Sequence, residues 1–125
     1  MSRHIIASVV VILFATCALS ADEKDDEKGP SFWMKQKLIY SQQILNGLAL
    51  EDYDMIVENA NAMKGLNKLE YFVRRKPEGY RTQLKVFQSS VDQIADAAAA
   101  SNLDGATLAF TQMTISCVNC HKQLR

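Results

Sequence analysis

Apolar residues repeat at helical spacing through most of this chain. Between Tyr80 and Ala100 the apolar positions alternate in steps of three and four, at Leu84, Phe87, Val91, Ile94 and Ala98. This spacing places them along one side of an α-helix. The final stretch repeats the pattern, at Leu103, Ala106, Phe110, Met113, Cys117, Cys120 and Leu124. Each of these helices needs another apolar stripe to pack against.

Two further helical segments precede these. The first is predicted from Ser31, a suitable N-cap, to about Leu48, with Met34, Leu38, Leu45 and Leu48 facing inward. The second begins near Glu51 and ends at "RRKPEG", where basic residues are followed by proline and glycine. Its predicted inward positions are Tyr53, Ile56, Ala60, Met63, Leu66, Leu69 and Phe72.

Short connections join the four predicted helices. The third runs from about Tyr80 to Ala100, and "SNLDG" gives the next turn, with Asn102 as the best N-cap for the fourth. No stretch reads convincingly as a strand. The prediction is an all-α fold, an antiparallel up-down-up-down four-helix bundle, forming one domain over residues 31–125.

The first twenty residues differ in character from the rest. Arg3 is followed by an apolar run over residues 5–15, and small residues precede a cleavage point near Ser20/Ala21. This is typical of a secretory signal peptide, and it predicts an exported, periplasmic protein. A membrane anchor is the alternative, although the run is short for a span. A lipid-anchored N-terminus at Cys17 is a third reading, which the residue before it disfavours.

Residues 21–30, "ADEKDDEKGP", are charged and lack apolar periodicity, which predicts a solvated, flexible linker. The whole chain has 14 acidic and 14 basic residues, and Arg3 leaves with the signal peptide. The mature chain is therefore close to neutral and slightly acidic, which gives no reason to expect a nucleic-acid partner. With its signal removed, the protein is not expected to be an integral membrane protein.

The chemically informative motif lies at the C-terminus, in "SCVNCHKQLR". Cys117 and Cys120 are three residues apart, and His121 follows directly. Cys-X-X-Cys-His is the pattern of c-type haem attachment. Two thiols at this spacing can add to the two vinyl groups of one porphyrin, and the adjacent imidazole can become the proximal iron ligand. The motif therefore predicts covalent haem c.

Three other readings of the motif remain open. A zinc site needs three or four protein ligands, and the mature chain offers two cysteines and one histidine within five residues. A redox dithiol of the thioredoxin kind belongs beside a βαβ unit, and no strand is predicted here. A Cys117–Cys120 disulfide in a haem-free helical module is compatible with export.

The motif on the last helix of an exported four-helix bundle resembles the cytochrome c′ family and its low-spin relatives. The family ends in Cys-X-X-Cys-His-X-X-aromatic-Arg, and here Leu124 stands at the aromatic position before Arg125. The resemblance implies that Arg125 lies beside the proximal face of the haem. The family often has a first-helix arginine near a haem propionate, and Lys35 and Lys37 are the nearest cations here.

The sixth iron position determines what a haem could do. Without the signal peptide His121 is the single histidine, which excludes bis-histidine ligation and the distal histidine of a peroxidase. We therefore do not expect an enzyme. Met113 lies on the same predicted helix as His121 and cannot readily reach the opposite haem face.

The resemblance implies that the first helix covers the distal side of the haem. Low-spin members present a methionine there, and five-coordinate members present a bulky apolar residue. Met34 as a sixth ligand and Leu38 as an apolar lid are the corresponding candidates, each also explained by core packing.

These candidates give two functional expectations. The first is a periplasmic electron carrier that exchanges electrons with a redox partner protein. The alternative is a binding protein for nitric oxide or carbon monoxide, small diatomic gases that reach a five-coordinate iron behind an apolar lid. The family often dimerises through its first two helices, so a homodimer is a further expectation that the sequence leaves open.

Overall fold

The computed structural model describes residues 31–74 and 76–124. These form four α-helices and, within the described ranges, no β-strand: α1 (Phe32–Leu50), α2 (Tyr53–Val73), α3 (Glu78–Ala99) and α4 (Leu103–Leu124). The predicted antiparallel four-helix bundle is confirmed. The predicted signal peptide and the charged linker lie outside the described residues.

Helices that are consecutive in the chain pack closely, whereas α1 and α4 approach each other over a short stretch only. Because the helices alternate in direction, α1 and α3 begin where α2 and α4 end. We call this the motif end, since it holds Cys117, Cys120 and His121. The opposite end, where the α1–α2 and α3–α4 turns lie, is called the apolar end.

The turns at the apolar end use side-chain caps and left-handed residues. Asn102 Oδ1 accepts a hydrogen bond from the Gly105 N–H at 2.8 Å, which confirms the predicted cap of α4. Asp52 caps α2 in the same way through the Met55 N–H at 2.9 Å, so α2 begins slightly later than predicted. Glu51 and Ser101 adopt positive φ angles of 54° and 53°, where glycine is more usual.

The helix pair α1 and α2 is joined by a close backbone approach at Gly47, which is buried. A Cβ atom at this position would lie 2.7 Å from the Ile56 side chain and 3.1 Å from the Asp52 carbonyl oxygen. Neither distance leaves room for a methyl group, so glycine is required here to let α1 turn tightly into α2. At the motif end, α3 begins at Glu78, directly after Pro77 and two residues before the predicted start.

The core lies at the apolar end and in the middle of the bundle. The five predicted apolar positions of α3 are all buried, as sequence spacing required. They pack with side chains from the other three helices that are almost completely removed from solvent: Ile44, Ile56, Ala60, Met63, Ala106, Ala109 and Met113. The third helix thus supplies the central apolar stripe of the fold.

The predicted inward face of α1 is only partly correct: Met34 and Leu48 are half-buried, and Leu48 packs against the core. Leu38 and Leu45 are 46% and 53% exposed, whereas Lys37 and Ile44 are buried. The buried line of α1 is therefore rotated by about one residue from the apolar stripe read in the sequence. The physical reason is that Lys37 has a buried carboxylate partner, which makes burial of its charge tolerable.

The second half of α2 departs from the prediction for the same reason. Leu69 and Phe72 are exposed, while the polar residues Asn67 and Glu70 are buried. From Ile56 onward the buried positions of α2 still recur every three or four residues, but near the motif end these positions hold polar residues.

On α4 the most buried line also moves by one position near the motif. Ala109 and Ser116 are buried, whereas the predicted Phe110 and Cys117 are half-buried at its edge. None of the helices in the described residues is both long enough and apolar enough to span a lipid bilayer.

Candidate functional site

The Cys-X-X-Cys-His motif occupies the last two turns of α4. Cys117, Cys120 and His121 are each half-buried, and both cysteines are free thiols. Helical geometry places Cys117 and His121 one turn apart on the same side of α4. The predicted motif residues are therefore brought together by one helix, at the edge of the buried interior.

The side of α4 that carries Cys117 and His121 faces α1. The opposite side faces α3, because the Gln83 side chain of α3 donates a hydrogen bond to Gln123 at 2.7 Å. Successive residues of an α-helix are turned by ~100° around its axis. On α4, Cys117 and His121 therefore lie on one side of the line of buried residues that includes Met113, and Gln123 lies on the other side. They consequently border the space where α1 and α4 approach each other least.

The same reasoning orients α1. Gly47 touches α2, so that side of α1 is directed at α2. Met34, Leu38 and Leu45 lie on the other side of the buried line through Lys37 and Ile44. They therefore lie on the flank of α1 nearer α4, where Leu38 and Leu45 remain largely exposed to solvent. We call the space between these two flanks the α1–α4 seam, bordered on α1 by Met34, Leu38 and Leu45 and on α4 by Phe110, Cys117 and His121.

Met34 and Leu38, the two candidates for the distal side of the haem, lie at different heights along the seam. The Lys37 ammonium lies over the Phe87 ring of α3, and the Gln83–Gln123 hydrogen bond aligns α3 with α4, so Lys37 stands at about the level of the motif cysteines. Met34 lies about one turn before Lys37 on α1, and His121 directly follows Cys120 on α4. Both residues are therefore displaced from that level towards the same end of the bundle. Met34 thus stands nearer the level of His121, and Leu38 nearer the level of Cys117.

A buried charged cluster lies directly beside the motif, formed by Lys37, Glu70, Arg74 and Tyr80. The Lys37 Nζ atom contacts Glu70 Oε2 at 2.6 Å, and the two side chains are 10% and 1% exposed. The Tyr80 hydroxyl donates to the other carboxylate oxygen, Oε1, which lies 3.6 Å from Arg74 Nη1. Glu70 therefore joins groups from α1, α2 and α3 at the motif end.

Aromatic rings complete the surroundings of this cluster. The Lys37 ammonium lies 4.7 Å from the centroid of the Phe87 ring, and the Arg74 guanidinium lies 5.6 Å from that of Tyr80. Such cation–π contacts offset part of the cost of removing a cation from water. Lys37 is thus held by a carboxylate and a ring, while Lys35 is exposed.

This cluster was not predicted from the sequence as a functional feature. A signal for it did exist, because the steps from Ile56 through Ala60 and Met63 continue at three-four spacing to Asn67 and Glu70. The sequence prediction instead followed apolar residues at neighbouring positions, such as Leu69, which is exposed. A polar residue in register with a buried line is the observation that could have revealed it.

The cluster influences the two motif thiols. Burial raises the pKa of Cys117, and the Lys37 charge opposes that rise. Cys120 shows the same pattern, since burial raises its pKa, Lys37 lowers it and Glu70 raises it. Both thiols are consequently held in the protonated form at neutral pH.

Two buried polar atoms at this end have no hydrogen-bond partner within the described ranges, Ser116 Oγ and Asn67 Oδ1. Asn67 uses its amide nitrogen to donate to the Leu84 carbonyl and to Gln88. Buried polar atoms are rarely left unsatisfied in a finished interior. The motif end therefore has unused hydrogen-bonding capacity beside the cysteines.

These residues fit a covalently attached haem. Two thiols on one flank of α4, with an imidazole beside them, suit two thioether bonds and one iron ligand, and the α1–α4 seam presents a thioether and a leucine from the other flank. No group of three or more His, Cys, Asp or Glu side chains is positioned to share a metal ion in the part of the chain that the structure describes. Thioether attachment does not require the two sulfur atoms to converge. Arg125, the predicted proximal arginine, lies outside the described residues.

Comparisons with protein-family models, with curated proteins and with solved structures each found no match to this chain. The resemblance to the cytochrome c′ family therefore depends on the motif and on the bundle that carries it.

Proposed function

We propose that this protein is an exported c-type cytochrome with one covalent haem c, and that it transfers electrons to and from a redox partner protein. The observation that carries the proposal is the placement of Cys117, Cys120 and His121, half-buried, on the last two turns of α4, a helix that packs only loosely against α1. When bound, the haem iron supplies a one-electron ferric–ferrous couple.

The chain's own residues have distinct roles in this proposal. Cys117 and Cys120 would hold the haem through two thioether bonds, and His121 would bind its iron. Met34 would supply the second protein ligand, because it stands nearer the level of His121 than Leu38 does. A thioether ligand raises the reduction potential, and ligation on both sides limits rearrangement when the charge changes.

The buried charged cluster lies beside the proposed attachment site and holds α1 in position. Glu70 of α2 fixes Lys37 of α1 through an ion pair of 2.6 Å, so that α1 keeps its rotation and register against α2. The position of Met34, one turn from Lys37, depends on that rotation. Lys37 and Glu70 are positioning residues in this scheme, since neither touches the iron.

The absorption spectrum tests the sixth ligand. The protein is produced in a host with c-type maturation machinery, and the ferric form is examined for the methionine–iron charge-transfer band. We expect the band in the unaltered protein and its loss in Met34→Ala. Met55→Ala is the matched control, because Met55 lies in the first turn of α2 at the apolar end. A band that survives in Met34→Ala contradicts the assignment of Met34.

The same preparation separates the electron carrier from a gas-binding protein. A low-spin ferrous form that binds carbon monoxide slowly, because Met34 must first leave, supports the carrier. A high-spin ferrous form that binds carbon monoxide at once would instead support the five-coordinate alternative, with Leu38 as the apolar lid.

A further inference from the structure

A basic surface lies at the turn between α2 and α3. Residues 71–85 contain five basic side chains and one acidic side chain, Glu78. Around this turn is an open cavity of about 250 Å³, lined by Tyr71, Phe72, Arg74, Lys76 and Arg81. We call these five residues, together with Lys85, the basic surface.

Aromatic contacts fix the cations of this surface in place. Arg81 Nη2 donates a hydrogen bond of 2.7 Å to the Tyr71 hydroxyl, and its guanidinium lies 4.4 Å from the centroid of that ring. The Lys85 ammonium lies 5.8 Å from the same centroid. Beside them Phe72 is 78% exposed. The surface therefore combines positioned positive charge with exposed apolar area, which favours an acidic peptide over a small anion.

The chain itself contains a segment of matching charge. Residues 21–30 carry five carboxylates and two lysines, a net charge of −3. The segment joins α1 at Ser31, and α1 begins at the same end of the bundle where α2 leads into α3. Ten residues can extend over ~30 Å, which is about the length of an α-helix of 20 residues. The tether also gives the segment a local concentration in the millimolar range, so weak contacts suffice.

We propose that the acidic segment 21–30 docks on the basic surface of its own chain. Its carboxylates pair with Lys76, Arg81 and Lys85 around the cavity. This inference does not rest on the proposed function, because it needs neither the cysteines nor a haem.

Zero-length carbodiimide cross-linking tests the proposal directly, since it joins a carboxylate only to an amine that touches it. In the purified protein we expect intramolecular links from residues 22–27 to Lys76 and Lys85, mapped by mass spectrometry. The yield should fall several-fold between about 0.02 M and about 0.5 M salt, because screening shortens the reach of charges. Arg81→Gln should lower the yield at Lys76, and Arg81→Lys should preserve it.

A second measurement uses amide shifts in nuclear magnetic resonance. Neutralising the segment with Asp25→Asn, Asp26→Asn and Glu27→Gln should shift the amide signals of residues 71–85. A matched control removes three exposed acids elsewhere, through Glu51→Gln, Glu58→Gln and Asp96→Asn. The control has the same net charge change and should leave the signals of residues 71–85 in place.

Three results would overturn the proposal. The first is cross-links spread over all lysines without preference for Lys76 and Lys85. The second is covalent dimers through the same residues, which would make a second copy the occupant. The third is unchanged amide signals in the neutralised variant together with shifts on adding hexaglutamate, which would assign the surface to an external acidic partner.

Discussion

The two ends of the bundle are built on different principles. At the apolar end, Ile44, Ile56, Ile94 and Ala106 meet with almost no solvent exposure, and side-chain caps fix the turns. At the motif end, Lys37, Asn67, Glu70 and Ser116 occupy buried positions on α1, α2 and α4, while α3 keeps the apolar Leu84 and Phe87. The helices therefore meet almost entirely through apolar side chains at one end, and partly through buried polar and charged side chains at the other.

The largest effect is expected from Glu70→Ala at the motif end. Removing the carboxylate leaves the Lys37 charge buried without its ion-pair partner, which should cost about 3–5 kcal/mol in the free energy of unfolding. Denaturant unfolding measures the loss. The double variant Lys37→Met with Glu70→Leu should recover the part of this loss that comes from the unpaired Lys37 charge, whereas the loss of the Tyr80 hydrogen bond to Glu70 remains. A double variant as unstable as Glu70→Ala would show that the ion pair is not the source of the cost.

At the apolar end the comparable experiment is Ile94→Ala. Deleting a fully buried aliphatic side chain should cost about 2–5 kcal/mol, because a cavity remains. Leu38→Ala, at a 46% exposed position of the α1–α4 seam, should cost less than about 1 kcal/mol in the haem-free chain. If the two variants lose equal stability, the packing contrast between the ends is incorrect.

The sequence predicted the apolar end more faithfully than the motif end, for a physical reason. In α3 all but one of the buried positions are apolar, Ser90 being the polar one, so spacing located the stripe. In α1 and α2 the buried line passes through Lys37, Asn67 and Glu70, and these polar side chains make contacts to partners on other helices. Such partnerships are tertiary, so periodicity within one segment does not reveal them.

In the candidate site, too, some features could be predicted from spacing within one helix and others depend on contacts between helices. The order and spacing of Cys117, Cys120 and His121 predicted that one helix would carry all three residues on its inward side. In the structure all three lie half-buried on α4. The level of Met34 relative to His121, and the outward turn of Leu38, depend on how α1 is rotated. That rotation is fixed by the Lys37–Glu70 pair and by the contact of Gly47 with α2.

A smaller effect is expected from Tyr80→Phe, which removes the hydroxyl that donates to Glu70. At neutral pH the loss should be about 1.5–3 kcal/mol, the range for hydrogen bonds to charged groups. Burial and the hydrogen bond to Glu70 raise the pKa of Tyr80 above its usual value near 10. The folded protein therefore keeps this proton when the unfolded chain loses it, so stability falls as pH rises above about 10.

Denaturant unfolding between pH 8 and pH 11 tests the sign of this linkage, given that ordinary tyrosines titrate at about 10. The unaltered protein should lose stability over the alkaline part of the range more steeply than Tyr80→Phe does. The cysteines titrate in both proteins, so the difference between the two curves isolates Tyr80. Parallel curves would contradict a buried, hydrogen-bonded hydroxyl.

The smallest effect is expected from Asp52→Ala, which removes the N-cap of α2 at the apolar end. The Met55 N–H loses its acceptor, and the cost should be about 1 kcal/mol. Asp52→Asn keeps an acceptor oxygen and should retain most of the stability. Thermal unfolding of both variants checks this, and equal destabilisation by the two would refute a capping role.

The central claim is that the motif end holds a covalent haem on Cys117 and Cys120. The direct measurement is the intact mass of the protein isolated from a host with c-type maturation machinery. We expect the mass of the mature chain plus one haem, and the mass of the chain alone for the Cys117→Ala, Cys120→Ala double variant. An unaltered protein that carries no added haem, or that is two hydrogens lighter through a Cys117–Cys120 disulfide, would contradict the claim.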